Sequence, residues 1–153
     1  MRDAGRTPQE VILIALGIFA TMAVILYWVA WFLAPGVVQS RTPSAPDYAI
    51  YVAYEQSFPL ADSWLALASL VGVIGLIRRR AWGFLFMLLA GGAAIFLGLM
   101  DLLYDLEHRM FVPLTQESVV ELVIVVLLLL LGPVVVGLTW SQRRQLLGPD
   151  QAT

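Results

Sequence analysis

The sequence predicts an all-α membrane protein: a bundle of four transmembrane helices, N-terminus in and C-terminus in, with two outward-facing hairpins. Three observations carry that expectation. Of the 153 residues, 60% are hydrophobic and only 13% are charged, against roughly half and a quarter in a soluble domain; mean hydropathy is +0.84. The charges gather into short clusters that separate four long apolar runs, each near the ~20 residues needed to cross a hydrocarbon core. The arginines fall almost wholly on one side of such a four-span arrangement.

The first span is expected over about residues 9–34. Thr7 suits an N-cap, Pro8 suits the first helical position, and Glu10 stands three residues after Thr7 as in a capping box. No charge occurs from Val11 to Ser40. That run is too long for a secretory signal, and Trp31-Phe32-Leu33 stands where cleavage would need small side chains, so it reads as an uncleaved anchor. Residues 35–58 form an extracytoplasmic segment, Pro/Ser-rich from Ser40 to Pro46, then aromatic and helical from Tyr48 to Glu55. The second span covers about 59–77, with Asp62 in its first turn, and Arg78-Arg79-Arg80 leave only a tight turn before the third, about 81–104. The fourth, about 117–141, ends before Arg143-Arg144, and Gly132-Pro133 is expected to bend it. The whole chain, 1–153, reads as a single transmembrane domain.

Orientation follows the arginines, because cytoplasmic loops retain them. Arg2, Arg6, Arg78, Arg79, Arg80, Arg143 and Arg144 lie on one side, and only Arg41 and Arg109 on the other. Lysine is absent, and that arginine bias in an Ala/Leu/Val/Gly-rich chain points to a bacterial protein of the inner (plasma) membrane. Cysteine is absent too, which removes disulfides and thiolate chemistry. A net charge of -2 excludes a general nucleic-acid surface.

The acids take the opposite side. Asp47, Glu55, Asp62, Asp101, Asp105, Glu107, Glu117 and Glu121 map to the outer end, and only Asp3, Glu10 and Asp150 to the inner one. Acidic residues contribute little to topology, so this asymmetry needs another cause. Asp101, Asp105 and His108 stand at i, i+4 and i+7 and share one helix face. Traced inward, that face continues to Gly98, Ala94 and Ala90, small residues that let membrane helices pack closely. Glu55 and Asp62 share a face that continues to Ala66 and Ser69, and Glu117 stacks on Glu121 one turn on.

These residues, with Tyr104, are expected to line one outward-facing cavity in the bundle. The leading expectation is a protein whose acidic cavity binds a cation or a small polar or cationic ligand. Asp101, Asp105 and His108 form the candidate metal set, suited to a divalent cation as cofactor. Asp62, Glu55 and Glu121 face them. For Asp101 and Glu121 capping does not account for the charge, and intramembrane ionisable residues are functional candidates by default. The bland counterpart is an interfacial helix end with Asp105 and Arg109 as an i,i+4 ion pair, and Asp62 and Glu117 as first-turn acids favoured by the helix dipole. Two other functions compete. One is a lipid- or isoprenoid-modifying enzyme using a carboxylate–histidine cluster. The other is an accessory subunit or assembly factor without a site of its own. Expected partners are the bilayer, the small ligand or cation, and either a second copy or another membrane protein. No nucleophile motif, phosphate loop or HExxH sequence is present.

Overall fold

A computed structural model describes residues 6–39 and 41–147, with the side chains of 116, 117, 146 and 147 outside the description. Expectations placed on Arg2, Asp3, Ser40, Asp150 and the Glu117 side chain therefore lie outside the described residues. The elements are α1 (Pro8–Leu33), α2 (Pro35–Val38), α3 (Tyr48–Glu55), α4 (Pro59–Ile77), α5 (Ala81–Glu107), α6 (Gln116–Ser141) and α7 (Arg143–Leu147). No strand occurs among the described residues. Four helical stretches are long and apolar enough to cross a membrane, as a multi-pass protein requires, with α3 and α4 forming one of them.

The helix ends follow local chemistry. The Glu10 backbone N–H donates to the Thr7 hydroxyl at 3.2 Å, so Thr7 caps α1 as expected. The box is not closed by Glu10, whose carboxylate lies 3.6 Å from Arg6. Thr115 and Ser118 form the reciprocal capping box that starts α6. Both ends of the α4–α5 hairpin close with Schellman turns. Arg79 (φ 52) and Arg109 (φ 52) occupy the left-handed position. Arg80 N–H reaches Gly75 O at 2.9 Å, and Met110 N–H reaches Asp105 O at 2.9 Å. Arg109 is thus spent on terminating α5, and the expected Asp105–Arg109 ion pair does not form: the ion pairs among the described residues are Arg6–Glu10 and Arg41–Asp47. α6 runs unbroken through Gly132-Pro133.

Packing is sequential. α1 lies on α4, α4 on α5 and α5 on α6, whereas α1 and α6 scarcely touch. The tightest approach is at the arginine end, where Gly75 of α4 meets Gly83 of α5 backbone to backbone. The predicted small-residue face of α5 is the packed one, with Ala90, Ala94 and Gly98 buried. Ala66 and Ser69 of α4 are buried as well. At the arginine end Thr7 Oγ1 donates to Gln142 Oε1 at 3.0 Å, tying the start of α1 to the end of α6. Many large side chains remain exposed along α1 and α6, among them Phe19, Leu26, Val126 and Leu130. Lipid is the environment that covers them.

Candidate functional site

Because α1 and α6 do not close on each other, a trough is left between them. Its volume is about 160 Å³. Small and aliphatic side chains form its floor, including Leu65, Ala90, Gly91, Ala94 and Leu128. Its acid-rich end is lined by Glu55, Asp62, Asp101 and Glu121, four carboxyl groups contributed by α3, α4, α5 and α6, together with Tyr27 of α1. Phe19, Ala23 and Leu127 also line it, and these are exposed on α1 and α6. The trough therefore opens sideways between the two helices.

The end of the bundle beyond the carboxylates is filled. Trp31, Tyr51, Tyr104 and Met110 form a buried cluster there. Trp31 and Tyr104 stand about one turn past Tyr27 and Asp101 on their helices, roughly 4.5–6 Å further along at 1.5 Å per residue. α3 supplies Tyr51, which is 1% exposed. The loop before α3 is held by Arg41, whose Nε donates to Asp47 Oδ2 at 3.1 Å. Residues 41–55 are thus a docked cover over this end rather than a loose tether.

Three of the four carboxylates take hydrogen bonds from aromatic donors. Tyr27 hydroxyl donates to Glu55 Oε2 at 3.0 Å. Trp28 Nε1 donates to Asp62 Oδ2 at 2.9 Å. Tyr54 hydroxyl donates to Asp101 Oδ1 at 3.4 Å. None of these three carboxylates has an ion pair among the described residues. Glu121 is 4% exposed. A charged carboxylate at membrane depth costs about 2.5–3.5 kcal/mol on insertion scales. One neutral donor each offsets only part of that.

The sequence-predicted site residues therefore divide. Glu55, Asp62, Asp101 and Glu121 come together in the trough. Asp105, Tyr104 and His108 do not line it. They share the face of Asp101 but lie higher on the helix, inside or beyond the aromatic cover. Asp105 is 1% exposed, and its Oδ2 has no hydrogen-bond partner. Tyr104 stacks on Tyr54 with ring centroids 3.7 Å apart. His108 stacks on Tyr104 at 4.0 Å, and its Nδ1 is 2.9 Å from Tyr104 O. Among the described residues, no three His, Asp or Glu side chains are grouped so as to hold a metal ion. Face-sharing at i, i+4 and i+7 ignored height: four residues raise a side chain by about 6 Å and seven by about 10 Å.

Sequence reasoning did not single out Tyr27 and Trp28 as partners of the carboxylates. The available signal was their place one turn inside Trp31 on an otherwise apolar helix. Comparison with protein families, with curated proteins and with solved structures finds no match to this chain.

Proposed function

We propose that this chain is a multi-pass protein of the bacterial inner membrane whose lateral trough binds an amphiphile, an apolar tail lying between α1 and α6 and a cationic head among Glu55, Asp62, Asp101 and Glu121. One observation carries this reading. Four carboxyl groups from four helices line one end of an otherwise apolar trough. The remaining length suits a tail that lies partly in the trough and partly against the lipid on its open side. Glu121 and Val135 both line the trough, and the fourteen steps from one to the other along the helix span about 21 Å, more than the ~15 Å of one leaflet of hydrocarbon. A small hydrated cation would have no use for that apolar floor. A carboxylate–histidine relay finds no support, since His108 stands outside the trough. The positive-inside distribution of arginines favours placing the carboxylates toward the outer leaflet.

The test is equilibrium binding to protein in zwitterionic nanodiscs, with three probes of one chain length: dodecyltrimethylammonium, dodecanol and dodecyl sulfate. The ammonium should bind at least ten-fold more tightly than the alcohol, equivalent to about 1.4 kcal/mol, and the sulfate most weakly. Asp101→Asn with Glu121→Gln should abolish the difference between ammonium and alcohol. Equal binding of the three probes to the native chain would overturn the reading, as would a preference that survives the double substitution.

A further inference from the structure

The other end of the bundle is a second charged surface, and the trough makes no use of it. Arg78, Arg79 and Arg80 form the turn between α4 and α5, and all three are exposed. Arg143 and Arg144 begin α7, which packs beside α5. Trp140 and Phe84 bring the two segments together, with ring centroids 6.3 Å apart. Five arginines from separate parts of the chain thus gather along one edge.

Little among the described residues balances Arg78, Arg80, Arg143 and Arg144. Among the described residues, Glu10 is the one acid at this end, and it is paired with Arg6 at 3.6 Å. The first turn of α5 carries no acidic residue. Arg78, Arg80, Arg143 and Arg144 make no ion pair among the described residues. Arg143 lies over the Trp140 ring, 5.1 Å from its centroid, and donates to Trp140 O at 3.1 Å. That holds its guanidinium beside an indole that is 55% exposed.

Arg79 holds the left-handed position (φ 52) of the Schellman turn that ends α4, as Arg109 does at the end of α5.

We propose that this edge binds the phosphate headgroup of an anionic phospholipid, with Arg78–Arg80 and Arg143–Arg144 around the phosphate and Trp82 and Trp140 at the depth of the lipid's glycerol. Three features favour a lipid over a soluble phosphate. The arginines stand at the ends of bilayer-spanning helices. Two tryptophans, at 36% and 55% exposure, flank them, as interfacial indoles do. Basic clusters just beyond a span are the recurrent anionic-lipid sites of membrane proteins. The proposal is independent of what the trough binds.

Native mass spectrometry of protein exchanged into equimolar phosphatidylglycerol and phosphatidylcholine tests it. The native chain should retain the anionic lipid at least ten-fold over the zwitterionic one. R79Q/R80Q and R143Q/R144Q should each lower that preference at least three-fold, and millimolar inorganic phosphate should leave it in place. Equal retention of the two lipids overturns the proposal, and so does a preference unchanged in both double variants. Displacement by inorganic phosphate would assign the site to a free anion and overturn the lipid assignment. Should either variant fail to fold, the native chain still decides: its melting temperature should rise with phosphatidylglycerol content, and the rise should vanish in 0.5 M salt. A melting temperature indifferent to lipid charge would refute the idea without any variant.

Discussion

Replacing Gly75 with alanine should destabilise the bundle, whereas the same change at Gly92 should not. Gly75 is where α4 and α5 meet. A Cβ there would run into Gly83 Cα and lie 2.6 Å from the Gly83 backbone nitrogen and 2.6 Å from Trp82 Cε3. Carbon contacts settle at about 3.5–4.0 Å, so the two backbones must part by roughly 1 Å. The obstacle is main chain, which cannot yield by changing rotamer. Overpacking of this kind costs about 1–3 kcal/mol, and a backbone obstacle places it near the top of that range. Removing a helical glycine returns at most about 1 kcal/mol, so the net loss is about 2 kcal/mol. At Gly92 a Cβ would meet nothing within 4 Å, so only the helix-forming gain of up to about 1 kcal/mol remains. Thermal unfolding in one detergent, followed by tryptophan emission, should place Gly75→Ala roughly 4–8 °C below the native chain, using the scale of a domain this size. Gly92→Ala should melt at or slightly above it. Coincident melting of the two variants would refute the reasoning, because it would mean that the α4–α5 contact is not the close backbone approach described.

Two further outcomes are expected. Thr139 is 0% exposed, and its hydroxyl has no hydrogen-bond partner; an unsatisfied buried hydroxyl costs about 1–3 kcal/mol, so isosteric Thr139→Val should raise the melting temperature, and an equal fall would show that the hydroxyl is satisfied. Tyr27→Phe removes the donor to Glu55 and should cost about 1–3 kcal/mol, most of it recovered in Tyr27→Phe/Glu55→Met, where neither polar partner remains; a double variant as weak as the sum of the singles would deny the pair its coupling.

The helices were legible because their causes are local. Uncharged runs, Thr7 as a cap, and arginines at the ends placed α1, α4, α5 and α6 within a few residues of their observed bounds, and even Tyr48–Glu55 was readable as a helix. The packed face of α5 was legible too, because Ala90, Ala94 and Gly98 repeat at the helical spacing. The candidate site was legible only in part. Asp62, Glu55, Asp101 and Glu121 could be proposed as a group from charge asymmetry, yet nothing in the sequence separates Asp101 from Asp105, which lie on the same face one turn apart.

What the sequence determined alone was the membrane-spanning, all-helical character and the segregation of acids from arginines, since hydrophobicity, capping and charge act residue by residue. The tertiary structure decided which carboxylates share a space, that α1 and α6 stay apart, and that α3 covers Asp105 and Tyr104 while leaving Asp101 on the trough. Those outcomes depend on the rotation and height of each helix against its neighbours. Both are set by contacts between residues far apart in the chain, such as Thr21 Oγ1 donating to Ala66 O at 3.3 Å and Trp28 donating to Asp62. No single helix encodes them.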